Sequence, residues 1–139
     1  MSIAEKEAEV IEEFAFFDDW LSKYDHLIEL GRDLPMIDES KKTAENIIKG
    51  CQSQVWLDGY MEDGKVQFKA DSDAIITKGI ISLLIHVLGN EKPQDIVDAE
   101  LRFLDEIGLK EHLSPTRANG LLAMVKQMKF YALAFSAKN

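Results

Sequence analysis

Cysteine is nearly absent from this chain: one residue, Cys51, in 139. A lone thiol closes no internal disulfide and cannot by itself assemble the thiolate sets of zinc or iron–sulfur sites. Sulfur chemistry here must be single-thiol chemistry: a nucleophile, a redox sensor, or the carrier of one transferred atom. Basic residues are short too, 16 Lys and Arg against 25 Asp and Glu, for a formal net charge of −9. That balance argues against nucleic-acid binding and against general attachment to anionic lipid, which rely on basic patches. A local basic patch for docking onto a protein stays open. Long apolar runs are missing as well. The longest, 79–88, is interrupted by Ser82 and His86 and falls short of the roughly 20 residues that span a bilayer. Met1-Ser2-Ile3-Ala4-Glu5-Lys6-Glu7 lacks the basic-then-apolar order of a secretory signal. The expected compartment is therefore the reducing cytoplasm, although a mature organellar protein would read the same way. His26, His86 and His112 lie on three separate segments without ligand spacing, so no metal site is expected. His86, inside the apolar run, is expected as a hydrogen-bonded core residue.

What is present describes a folded chain. The length fits one domain over 1–139, and 46% hydrophobic residues suffice for a core without disulfides or metal. Ser2 and Glu5 have capping-box spacing, predicting a helix from the start, with Ile3, Val10, Ile11 and Phe14 as its apolar stripe. Asp18 or Asp19 caps a second helix, with Trp20, Leu21, Tyr24, Leu27 and Ile28 on one face and Gly31 as its stop. Alternation through Val55, Leu57 and Met61, a turn at Asp63-Gly64, and alternation again through Val66, Phe68 and Ala70 predict a β-hairpin. Asp71-Ser72-Asp73 offers N-cap candidates for a helix apolar around most of its circumference, hence central and buried. Pro93 opens a short helix. Ser114-Pro115 caps and starts the last one, with Leu121, Leu122, Val125, Met128 and Leu133 as its inward stripe. No repeat, linker or low-complexity segment appears. The class is α+β, with a small antiparallel sheet between N- and C-terminal helices.

Cys51 falls just before the first strand, on a loop or its edge. By composition alone, an intracellular cysteine is most often a small buried hydrophobe. Here Gly50 permits unusual backbone angles and leaves the thiol unshielded on one side, while Gln52, Ser53 and Gln54 bring amide and N–H donors. Such donors matter because a free thiol, with a pKa of about 8.5, is only slightly ionised at neutral pH. Trp56, on the strand, reads as packing or as part of a shelter for the sulfur.

Gly50-Cys51-Gln52-Ser53-Gln54-Val55-Trp56 resembles the active-site signature of the SufE family. The resemblance continues through Asp71-Ser72-Asp73-Ala74, Lys78-Gly79, Pro93-Gln94-Asp95-Ile96 and His112-Leu113-Ser114-Pro115-Thr116-Arg117, covering nearly the whole chain. It implies a SufE/IscU-like fold with about three antiparallel strands, the third just before the cysteine loop, for which Asn46-Ile47-Ile48 is the one candidate. It implies a carrier rather than an enzyme. Cys51 would take sulfur as a persulfide from a cysteine desulfurase, stimulate that enzyme, and deliver the sulfur to an iron–sulfur scaffold. Pyridoxal phosphate would belong to the desulfurase, and this chain would hold no cofactor. Gly50, Gln52, Ser53, Gln54, Trp56, Asp73 and Arg117 are the expected loop or partner contacts around Cys51. Arg117, in the first turn of a helix, is disfavoured by the helix dipole, which suggests a function or a partner carboxylate; an exposed, structurally neutral arginine is the plain alternative. The single cysteine separates the chain from IscU-type scaffolds, which carry several. The competing reading is a cysteine-dependent hydrolase or transferase using Cys51 with His112.

Overall fold

A computed structural model describes residues 1–138. Helix α1 (Ile3–Ala15) begins at the expected capping box: Ser2 Oγ accepts from Glu5 N–H at 3.1 Å, and Ser2 N–H donates to Glu5 Oε1 at 3.2 Å. Helix α2 (Trp20–Arg32) is capped by Asp19, whose Oδ1 accepts from Ser22 N–H at 2.7 Å. Gly31 does not stop this helix. It lies inside it, where a Cβ would come within 3.1 Å of Gly79 N on the facing helix.

Strands β1 (Val55–Glu62) and β2 (Lys65–Ser72) form one antiparallel ladder, with Val55 opposite Ser72 and Glu62 opposite Lys65. Asp63 and Gly64 turn the chain with φ of 55° and 77°, the left-handed pair that a tight hairpin requires. The sheet has two strands, not three. Asn46-Ile47-Ile48 contributes an isolated bridge, Ile47 opposite Trp56, with Ile48 N–H donating to Val55 O and Leu57 N–H donating to Asn46 O, both at 2.8 Å. Flanked by turns at 44–46 and 49–50, the segment is too short to propagate a ladder. The outer edge of β2 is covered in the same way by bridges from Met36 and Glu91.

Helix α3 (Ile75–Leu88) is the buried centre: Ile80, Ile81, Leu83, Leu84, Val87 and Leu88 are all 2% exposed or less. Its N-cap is Ala74, with no side-chain cap. The aspartates expected to cap it are used elsewhere. Asp71 is a strand residue whose carboxylate meets Lys42 at 2.6 Å and Lys78 at 3.5 Å. Burial alone would raise its pKa, but Lys42, the Ser72 N–H and Lys78 together outweigh that and lower it. Asp73 serves the cysteine loop, as described below. His86 is exposed rather than in the core, on the narrow side of α3 left uncovered.

Short helices α4 (Pro93–Asp98), α5 (Phe103–Glu106) and α6 (Leu109–His112) lead to α7 (Pro115–Ala137). Ser114 Oγ caps α7 by accepting from Arg117 N–H at 3.3 Å. Its buried stripe is Leu121, Met124, Met128 and Ala132. Leu122 and Leu133 face outward, 50% and 55% exposed, because each sits a single residue, about 100° of helix, from a buried neighbour. No helix among the described residues is long and apolar enough to cross a membrane. One hydrophobic cluster joins α1, α2, the hairpin, α3 and α7.

Helices α2 and α3 meet backbone to backbone. A Cβ on Gly79 would run into the Leu27 carbonyl, 2.6 Å from its carbon and 3.2 Å from Leu27 Cβ. Only a glycine permits that approach. Gly79→Ala is expected to cost at least about 2 kcal/mol, as overpacking against a backbone does. Urea denaturation measures it; a loss under about 0.5 kcal/mol, the range of neutral surface changes, would show that the helices separate freely.

Candidate functional site

The cysteine loop, residues 49–54, leaves the Ile47 bridge and feeds β1. Gly50 turns it with φ of 94°, a conformation that side chains strain against. Its exit is tied to the β2–α3 junction. Asp73 Oδ1 accepts from Gln54 N–H at 3.0 Å, Asp73 N–H donates to Gln54 O at 3.3 Å, and Ser72 Oγ donates to the same carbonyl at 2.9 Å. Ser53 Oγ donates to Thr77 Oγ1 at 3.2 Å. These bonds set the loop against the start of α3.

Cys51 is half-buried, its Sγ against α7, 3.7 Å from the Gly120 carbonyl to which the thiol donates. A Cβ on Gly120 would lie 3.4 Å from Sγ, so the glycine makes the seat for the sulfur. Beside Sγ opens a cleft of about 350 Å³. Gln52 and Ser53 form its loop side, Asp73, Thr77 and Ile80 its α3 side, and Thr116, Arg117 and Met124 its α7 side. The floor is apolar, with Ile80 and Met124 each 1% exposed. The rim carries hydroxyls, a carboxylate and a guanidinium.

Burial pushes the Cys51 thiol pKa up. The polar group that Sγ meets is a carbonyl oxygen, which suits a neutral S–H donor and repels a thiolate. Arg117 is exposed at the rim, and its guanidinium makes no ion pair or hydrogen bond among the described residues. It therefore neither pairs with Asp73 nor spends its charge on the fold.

Of the residues singled out in the sequence, Cys51, Gln52, Ser53, Asp73 and Arg117 line one cleft, although Asp73 and Arg117 are 44 residues apart in the chain. Gly50, Gln54 and Trp56 do not line it. Gly50 and Gln54 shape the loop backbone. Trp56 lies beneath Lys42 Nζ, 5.3 Å from the ring centroid, in the cluster built around Asp71. Gly120, Thr77, Ile80 and Met124 belong to the site and were not legible as such. A glycine inside the last helical pattern was the one available signal, marking a close approach.

His112 is placed elsewhere. Its ring stacks on Trp20 at 4.0 Å, Nδ1 lies 2.9 Å from Gly108 O, and its carbonyl accepts from Tyr24 Oη. It does not line the cleft, so the cysteine–histidine pair of the hydrolase reading is not assembled. Among the described residues no three His, Cys, Asp or Glu side chains gather as a metal-binding group.

Two consequences of this geometry are measurable by alkylation. The rate with iodoacetamide should rise with pH through a midpoint above the value of about 8.5 for a free thiol, because burial favours the neutral form. Gly120→Ala should leave stability unchanged or raise it by up to about 1 kcal/mol, as in other helix interiors, while slowing alkylation several-fold by crowding Sγ. A midpoint at or below the free-thiol value would mean that a donor or cation already stabilises the thiolate.

The comparisons with known proteins bear on the family and the fold. The family model described as "SufE: Fe-S metabolism associated domain" matches residues 8–132. The chain is 40% identical over 127 residues to an "uncharacterized SufE-like protein" of Rhizobium meliloti (strain 1021), spanning 87% of this chain and 90% of that one. It is 38% identical over 128 residues to a protein of the same description from Synechocystis, spanning 92% and 80%. In fold it is similar to the solution structure of a hypothetical protein from Thermus thermophilus, with a TM-score of 0.77 over 93% of this chain and 94% of that one, at 22% identity. The α+β frame and the matched length lead to one conclusion: this chain belongs to the SufE family, whose domain is associated with Fe–S metabolism.

Proposed function

We propose that the protein is a sulfur carrier that accepts one sulfane sulfur onto Cys51 from a cysteine desulfurase, accelerates that enzyme by unloading it, and passes the sulfur on to an iron–sulfur scaffold. It acts as a partner rather than as a free-standing enzyme, in the reducing cytoplasm. The observation that carries this reading is the seat of the sulfur: a single thiol against a glycine, opening on a small cleft with an apolar floor and a polar rim.

The chemistry is an exchange between two sulfur atoms. Cys51 loses its proton to solvent, and the thiolate attacks the terminal sulfur of a persulfide on the donor. The donor's S–S bond breaks, its electron pair stays on the donor cysteine as thiolate, and a new S–S bond forms on Cys51. No net oxidation occurs. Pyridoxal phosphate and the cleavage of cysteine belong to the donor enzyme. The added sulfur projects into the cleft, where Ile80 and Met124 exclude water and Thr77, whose hydroxyl accepts from Ser53, and Arg117 offer donors to a persulfide anion. Stored there, it is shielded from small thiols that would reduce it.

The same shelter opposes transfer. A half-buried thiol with a raised pKa reacts slowly, so the loop needs a second arrangement that the donor selects, a few kcal/mol above the first. The Asp73–Gln54 bonds form a hinge at the loop's exit about which 50–53 would turn.

Intact mass after incubation with a cysteine desulfurase and cysteine tests the carrier reading. The wild type gains one sulfur. Cys51→Ser, which removes little volume, keeps its circular dichroism but gains none and does not raise sulfide release. A Ser variant that stimulated to the wild-type level would sink the mechanism.

Arg117 is assigned to the site or its partner rather than to stability. Arg117→Ala should change stability by less than about 1 kcal/mol, as exposed charges do, and lower sulfur acceptance several-fold. Asp73→Asn keeps an acceptor for Gln54 N–H and removes the charge, separating loop support from electrostatics. Chemical denaturation beside a desulfurase titration reads both. Unfolding of Arg117→Ala with undiminished transfer per folded molecule would make Arg117 structural.

A further inference from the structure

The last helix differs in charge from the rest of the chain. In 23 residues α7 holds no Asp or Glu, whereas the chain holds 25. Lys129 is spent on the Val97 and Ala99 carbonyls. Lys126 is exposed and makes no ion pair among the described residues. Around it Leu122, Phe130 and Leu133 are 50%, 63% and 55% exposed. These four side chains fall within an arc of about 80° on the helix, opposite its buried stripe.

Alongside this stripe runs a groove of about 460 Å³, walled on one side by Ala123, Lys126, Phe130 and Tyr131 and on the other by the segment containing Ile47 and Lys49. Glu45 is its one carboxylate. The groove leads to the cysteine loop: a Cβ on Gly50 would lie 3.5 Å from Ala123 Cβ, and Gly120, nearly one turn earlier, seats Sγ. Its strand wall is only half used. Ile48 N–H and Asn46 O bond to β1 on either side of the Ile47–Trp56 bridge. In such a wide pair the central residue's own N–H and C=O point away from the partner strand, and those of Ile47 have no partner among the described residues.

An open strand edge beside an apolar helix face is a receptor for an extended polypeptide. We infer that this groove docks an extended, apolar, acid-flanked segment of the sulfur-donor enzyme. The segment adds as a short strand against Ile47, lays an apolar side chain on Phe130, and sets a carboxylate between Lys49 and Lys126. The inference rests on the carrier reading and deepens it by naming where the donor is held and by what chemistry. Charge favours this occupant over a second copy of the chain: two such faces related by a twofold axis would set Lys49 and Lys126 of each copy against those of the other, with Glu45 the one carboxylate in each groove.

The test is the double variant Lys126→Glu/Phe130→Ser, both side chains being exposed, with circular dichroism and urea midpoint as checks on folding. The carrier concentration that half-saturates stimulation of the host's cysteine desulfurase should rise by at least about tenfold, as for loss of an interface anchor. Charging of Cys51 by inorganic polysulfide, which needs no docking, should match the wild type. In the wild type, the desulfurase should slow amide hydrogen exchange at Ile47. An unchanged half-saturation, or no slowing across 44–49 while Cys51 is charged, overturns the docking site and leaves the carrier reading standing. A wild type that never takes sulfur from the desulfurase overturns both. A wild-type dimer in sedimentation that the double variant dissolves, with half-saturation unchanged, assigns the groove to a second copy and overturns the inference.

Discussion

At Gly79 the backbone of α3 rests directly on that of α2, with Leu27 filling the space that any side chain would need. This contact fixes how deeply α3 sits, and α3 is the helix on which the hairpin, α1 and α7 all pack. Its first turn supplies Thr77 and, with the junction before it, Asp73; Ile80 is one turn further on. The cleft beside Cys51 is therefore a by-product of core packing. It is held by buried apolar surface, the largest stabilising contribution available to a chain without disulfides.

On the proposed carrier reading, Cys51 meets two opposed demands. A nucleophile needs ionisation and access, while a carried persulfide needs dryness and concealment. The structure favours concealment of the thiol: burial raises its pKa, the acceptor at Sγ is a carbonyl, and Arg117, the one rim cation among the described residues, is exposed at the solvent edge. The first demand then falls to whatever docks. On that reading the site stays quiet until a partner supplies the missing donor or turns the loop.

The glycines serve different physical ends. Gly64 and Gly50 supply backbone angles that other residues resist. Gly79 and Gly120 supply absence, one letting two helices touch and the other letting a sulfur atom lie against a helix. The first kind announces itself in a local motif such as Asp63-Gly64. The second does not, because its reason lies in a segment 52 or 69 residues away.

Local chemistry was readable from the chain alone. The Ser2–Glu5 capping box, the Asp19 and Ser114 caps, the first-turn Pro115, the Asp63-Gly64 hairpin and the loop position of Cys51 each depend on residues within a few positions of one another. The class of fold followed from their order. The motif around Cys51, with its matches further along, carried the family. Tertiary structure decided the rest. Asp73 looked like a cap from its immediate neighbours, and only the resemblance named it a contact of the cysteine loop, whose Gln54 backbone it binds. His86 looked buried and lies on the one open side of α3, and Leu122 and Leu133 looked inward on a helix whose burial phase is set by what packs against it. The third strand shrank to one bridge because turns on both sides leave it no length. His112 was drawn to Trp20 and Tyr24 instead of to Cys51. Sequence determines what each short segment can do, since caps, turns and periodicities are short-range. Which of those possibilities are used, and which residues meet at the sulfur, depends on long-range packing that no local pattern encodes.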